Sequence, residues 1–273
     1  MKNNAVGLDL SVKKKFRFPA LSVYGVLIYL FLYLPLFVVL MYSFNNSTTS
    51  FRITDLTFDW YFKVFQDEKV LVALLNSLKI SGISVLIACA VGTSGAIFLN
   101  RVKFPGQNLF KAVANLPIIL PGIIVGISIL LVLANFSVKL SLGTILLGHI
   151  TFTVAVVMFQ VLARLQRLSP NLEKAATDLG ATPLKAFWYV TLPMIKRAVI
   201  GGALLAFTMS FDEIIITYFL AGTDVTLPVY IYGSIRFGIS PEIFAISTVV
   251  LLFSIILIVL MAKYTGTEDD KLI

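Results

Sequence analysis

The sequence has little charge, one cysteine and one histidine. Asp, Glu, Lys and Arg make up 13% of its 273 residues, about half the share usual in a soluble domain. Cys89 alone excludes an intramolecular disulfide. It lies in the apolar run "GISVLIACAVG" and reads as a small packing residue. His149 has no second histidine to join it, and the sequence offers no His/Cys/Asp grouping for a catalytic metal. No G-x-x-x-x-G-K-[ST] phosphate loop occurs, so the chain is not by itself an ATPase. No catalytic residues and no cofactor of its own are expected.

What is present in excess is apolar surface, at 58% of residues. That composition describes an all-α integral membrane protein whose surface meets lipid. The first apolar run, Leu21 to Phe44, exceeds the ~7–15-residue core of a signal peptide and is expected to stay as a membrane helix. A spanning helix needs about 20 apolar residues. Ile80–Leu99, Ala112–Val138, Leu140–Ala163 and Ile243–Ala262 meet that requirement almost free of charge. Ala198–Thr223 does so with Asp212 and Glu213 inside it. Six spans result, with Asn135 to Ser141 as the turn between the third and fourth.

Lys and Arg set the direction. With a cytoplasmic N-terminus, 16 of the 22 basic residues fall in inside segments. The net charge of +8 then reflects the positive-inside rule and not nucleic-acid binding. The expected organisation is a cytoplasmic tail over 1–19, a six-span domain over 20–263 with a cytoplasmic loop at 164–197, and a cytoplasmic tail over 264–273. The outer segments Asn45 to Val72 and Gly222 to Glu242 are expected to form short interfacial helices. Their Trp and Tyr residues are expected to anchor at the headgroup level.

The cytoplasmic stretch "EKAATDLGATPLKAFWYVTLP" breaks the apolar pattern. It parses as two short helices. Ser169 caps the first, with Pro170 at its first position. Leu172, Ala175, Ala176 and Leu179 share one face, and Gly180 stops the helix. Thr182 caps the second, Pro183 opens it, and Pro193 ends it or kinks the approach to the fifth span. The narrow alanine-rich face suits a groove on another protein. It also suits packing beneath its own bundle or rest on lipid.

Inside the membrane, Asp212 and Glu213 are the chemical anomaly. A carboxylate at a helix centre costs about 2.5–3.5 kcal/mol on insertion scales, so each needs a cavity, a partner or a cation. Counted along an unbroken helix from Ala198, the pair falls in the outer half of the core. A cationic amine suits them; so does a structural pairing with a Lys or Arg of a neighbouring subunit. Thr208, Tyr218 and Asn115 are further candidates for a polar path. In the third span Pro117 and Pro121 bend the helix, and Gly122 and Gly126 offer close helix approach.

The segment Glu173, Ala175, Ala176, Gly180, Leu192 and Pro193, placed between the fourth and fifth of six spans, resembles the "EAA" loop of permease subunits in bacterial ABC importers. The resemblance covers nearly the whole chain. "NLPIILPGIIVGISIL", "SFDEIIITYFLAG" and "TLPVYIYGSIRFGISPEIFAISTVVLL" are similar to the second permease of spermidine/putrescine importers. Related permeases for opines, aminoethylphosphonate or amino-acid-like solutes share such stretches. The resemblance implies a type I importer permease fold whose cytoplasmic loop forms coupling helices. It implies a second homologous permease, two ATP-binding subunits that hold ATP and Mg, a soluble or lipid-anchored binding protein, and a bacterial inner-membrane location. The competing expectation is a stand-alone secondary transporter or channel using Asp212 and Glu213. Against it, the chain has no evident inverted repeat.

Overall fold

The computed structural model describes residues 19–47, 55–169, 171–236, 238 and 240–265. Among these, regular structure is helical. Pro19–Ser43 forms α1, and the short Asp59–Gln66 forms α2. Glu68–Arg101 forms the long α3. Its N-cap, Asp67, accepts a hydrogen bond from the Lys69 N–H at 2.8 Å, so the helix starts well before the apolar run begins at Ile80.

Three contacts fix how α3 meets α6 (Leu142–Gln166). Ile80 packs in one cluster with Ile145. Gly92 approaches Val154 and Met158, leaving no room for a Cβ. Leu99 packs with Leu165. The residue numbers rise together, so the two helices are parallel. The chain between them must therefore return along the bundle. That return is not the continuous third span expected over Ala112–Val138. It is α4 (Gln107–Ile119) and α5 (Gly122–Asn135), set at 103° to each other. Pro121 lacks the N–H a straight helix would need, and the chain is extended at Leu120 and Pro121.

The segment at 164–197, expected to be cytoplasmic, also differs from the helices expected there. The first helix, α7 (Asn171–Asp178), is separate. Ser169 Oγ accepts from the Asn171 N–H at 3.4 Å; Pro170 lies outside the described residues. At its other end Ala181 N–H bonds Ala176 O and Gly180 N–H bonds Thr177 O, with Gly180 at φ +85°. This is a Schellman closure, which a left-handed glycine permits. The second helix does not stop at Pro193. Thr182 caps α8 (Pro183–Ala186), accepting from Lys185 N–H. A single π-turn, Phe187–Thr191, then leads into α9 (Leu192–Phe211). The wider turn makes space for the proline ring, and helix continues without interruption.

α9 runs antiparallel to α6. Arg164 Nε donates to Met194 O at 3.3 Å, Gly202 packs on Val157 and Gln160, and His149 meets Ser210. The expected unbroken fifth span ends at Phe211. After a break at 212–214, α10 (Ile215–Leu220) resumes in the same direction. Thr144 Oγ1 donates to Leu220 O at 2.8 Å beside the first turn of α6, and Gly222 lies against Leu140. The crossing is one path interrupted once. α11 (Leu227–Ile235) and α12 (Pro241–Thr265) complete the order.

Among the described residues, five helices are long and apolar enough to cross a membrane, six crossings when the bent pair is one. The buried core lies where α3, α6 and α9 meet. The apolar residues of α1 remain largely exposed, as a lipid or subunit face requires. One expectation for the outer loops fails. Trp60 on α2 is buried, and its Nε1–H donates to Asn45 O at 2.9 Å. It closes the loop between α1 and α2 and does not sit among headgroups.

Candidate functional site

Two places carry chemistry: the segment of α7 and α8, and the break in the fifth crossing. On α7, Glu173 turns inward. Its Oε1 accepts from Arg101 Nη2 at 2.6 Å, at the end of α3, and from Thr191 in the π-turn. Burial alone would raise the carboxyl's pKa. The hydrogen bonds from Thr191 and Arg101 and the Arg101 charge outweigh it and hold the carboxyl below its ordinary value. One side chain thus ties together α3, α7 and the start of the fifth crossing.

Other side chains of this segment point away from the described residues of the bundle. Ala175 is exposed on α7 and Ala176 half-buried, while Leu172 lines the same hollow as Glu173, Arg101 and Thr191. Leu179 is 90% exposed, and Tyr189, 81% exposed, groups with exposed Leu184 and Trp188. Covering one such leucine is worth about 1.5–3 kcal/mol. Leu192 is half-buried and Pro193 exposed at the start of α9. Leu172 and Ala176 lie partly against the protein's own bundle, while Leu179, Leu184, Trp188 and Tyr189 stand clear of it.

At the break, the two carboxylates have different surroundings. Glu213 Oε1 accepts from the Ile216 N–H at 2.9 Å and caps α10. A methyl group at Gly122, the first residue of α5, would lie 3.6 Å from the same oxygen. The start of α10 therefore supplies a donor to Glu213, a position that suits an anion. Asp212 is exposed at the C-terminal end of α9, where unpaired carbonyls favour a cation. The 100° separation expected on an unbroken helix does not apply, because the backbone leaves the helix between the two residues.

Thr208 lies one turn before the break; its hydroxyl donates to Leu204 O, and its carbonyl accepts from the Asp212 N–H. Tyr218 is 47% exposed on α10, with the Arg236 guanidinium over its ring at 5.8 Å. Asn115 is half-buried on α4, before the bend. Pro117 lies within α4 and Pro121 at the bend itself. Gly122 and Gly126 receive α10: a methyl at Gly126 would stand 3.3 Å from Ile216 Cα and 3.1 Å from the Phe219 ring.

Sequence reasoning passed over His149. It is buried in α6, with Nδ1 2.7 Å from Ser210 Oγ and Nε2 2.8 Å from Thr217 Oγ1. Ser84 of α3 extends the network to Ser210 at 3.2 Å. The available signal was a lone histidine in an apolar helix, with serine and threonine at matching depths of two others. Arg101 was counted only for its charge.

Residues 87–265 match the family described as "Binding-protein-dependent transport system inner membrane component". The chain belongs to that family. As such a permease subunit, it is 38% identical over 229 residues to the putrescine transport system permease protein PotI of Escherichia coli K12, covering 81% of this chain and 82% of the relative. It is 30% identical to the spermidine/putrescine transport system permease protein PotC of the same organism, covering 85% and 88%. In structure the permease resembles a chain of a bacterial ABC transporter that imports the acidic polysaccharide alginate. The TM-score is 0.70 at 18% identity, over 90% of this chain and 95% of the other. That likeness gives the fold, a type I ABC importer permease.

Proposed function

We propose that this permease is one membrane-spanning subunit of an ATP-driven importer of a small cationic amine, such as putrescine or spermidine. Asp212 carries the cargo reading. It is an exposed carboxylate at the negative end of a broken helix, where transporters commonly bind cations. The hydrogen bond between Ser210 and His149 sets its depth, since His149 lies about two turns into α6, roughly 10 Å from its outer end. The names of the relatives support the same class of cargo.

The exposed apolar face around Leu179 and Tyr189 supports docking of α7 and α8 into one of two ATP-binding subunits, which hold ATP and Mg. A second permease and a binding protein on the outer side complete the complex in the bacterial inner membrane, with both termini of this chain cytoplasmic. ATP binding draws the docked helices together. Glu173 passes that displacement to α3 through Arg101 and to α9 through Thr191. In vesicles containing the whole complex, Asp212→Asn tests the cargo reading: amine uptake weakens while basal ATP hydrolysis persists. Unchanged uptake refutes it.

A further inference from the structure

We propose that His149 is a positioning residue that sets the break in the fifth crossing and so aims Asp212 at the cationic substrate. The inference rests on the cargo reading above and assigns a part of that site which the carboxylate does not itself supply. A broken helix in an apolar environment needs something to fix its two halves. Without it, the non-helical chain at 212–214 would find several arrangements, each with a different direction for Asp212. The flanking backbone bonds do not span the gap. Asp212 N–H bonds back to Thr208 O on α9, and Tyr218 N–H bonds back to Ile214 O at the start of α10.

The imidazole does span it. Ser210 lies on the α9 side and Thr217 on the α10 side, and His149 holds both from a third helix. The direction of each bond follows from proton counting. Thr217 Oγ1 donates to Glu213 O at 3.0 Å, so its oxygen must accept from His149 Nε2–H. Nδ1 is then an acceptor, and the Ser210 hydroxyl donates to it. Ser84 of α3 reaches the same group only by turning its one proton from Ser81 O, at 3.0 Å, to Ser210 Oγ, at 3.2 Å. Beyond its two hydrogen bonds, the ring packs against Phe152 at 5.6 Å between centroids. Gly148 admits the second half of the crossing. A methyl there would stand 2.5 Å from Leu220 and 2.7 Å from Ile216. A rigid ring with two opposed nitrogens suits a fixed gap better than two independent side chains, because neither bond can lengthen without straining the other.

The test uses the complete transport complex in proteoliposomes, with labelled putrescine as the probe. Thr217→Val removes one end of the clamp at constant shape, and Thr217→Ser restores the hydroxyl. Thr217→Val is expected to raise the half-saturating putrescine concentration by about 5- to 30-fold, the effect of one unsatisfied buried donor. Thr217→Ser is expected to return it to near the original value, with maximal ATP hydrolysis unchanged in both. Because His149 acts through Asp212, Thr217→Val is expected to add little in an Asp212→Asn background. His149→Leu should reproduce the same non-additivity. Effects that multiply independently overturn the inference and leave the cargo reading intact. So does a fall in thermal stability and transport rate with no change in half-saturation, the mark of a purely structural role. No effect of Asp212→Asn alone overturns both.

Discussion

Arg101 at the end of α3 and Glu173 on α7 meet at 2.6 Å, and Thr191 of the π-turn bonds the same carboxylate oxygen. The glutamate of this loop therefore points into its own chain, while Leu179 and Tyr189 point out. Loss of Glu173 should break the link between the docking face and the bundle without disturbing the face. Glu173→Arg sets two like charges together and is expected to lower ATP-driven uptake about 3- to 10-fold. Combining it with Arg101→Glu should restore part of the loss, with membrane insertion normal throughout. No recovery in the double variant would show that the charges do not act as a pair.

The same pair gives a pH signature. Its bonds hold the Glu173 carboxyl below its ordinary value of 4.5. A lowered carboxylate pKa adds stability that is fully present above that ordinary value. The contribution disappears as pH falls through the lower folded value. The difference in melting temperature between the wild-type protein and Glu173→Gln should thus be constant above about pH 4.5 to 5 and shrink below it. A difference that grows on acidification would contradict the assignment.

Gly180 closes α7 in the left-handed region at φ +85°. A side chain there strains the backbone by about 1–2 kcal/mol, and asparagine bears the conformation best among the alternatives. Gly180→Ala should loosen the end of α7 and partly uncouple ATP hydrolysis from uptake. Gly180→Asn should do so less, and Gly180→Asp is expected to add an unwanted charge to the docking face. The ratio of substrate imported to ATP hydrolysed measures this order, and equal ratios for all three would refute it.

Gly148 lets the outer half of the fifth crossing touch α6. A Cβ there would collide with Leu220 and Ile216, so Gly148→Val should cost about 1–3 kcal/mol through overpacking. The expected result is a lower melting temperature in detergent. Gly25 and Gly82 face open space, and alanine at either should leave the melting temperature nearly unchanged.

The number of crossings, the cytoplasmic segment, its caps at Ser169 and Thr182 and its stop at Gly180 were legible in the sequence. Each follows from apolar run length or from a residue with one dominant backbone role. The bend after Pro117 was announced by proline, but its size was not: 103° depends on what α5 packs against, and that is α10. The break at 212–214 was not legible. Phe211, Asp212, Glu213 and Ile214 have no proline or glycine among them, and the contact that bridges the interruption comes from another helix, where His149 meets Ser210 and Thr217 on its two sides. Likewise the carboxylates looked equivalent as neighbours in sequence. Only the Ile216 N–H at the start of α10 distinguishes the capping Glu213 from the exposed Asp212. Trp60 looked like an interfacial anchor because the Asn45 carbonyl that receives its N–H is fifteen residues away.

The most direct test of the account is putrescine uptake into proteoliposomes containing this permease with and without the ATP-binding subunits of its complex. The account predicts ATP-dependent uptake that vanishes when those subunits are omitted. It further predicts a half-saturating concentration roughly 10-fold higher in Asp212→Asn, as expected for loss of one charged contact. Full uptake by this chain alone, or uptake indifferent to Asp212, would contradict it.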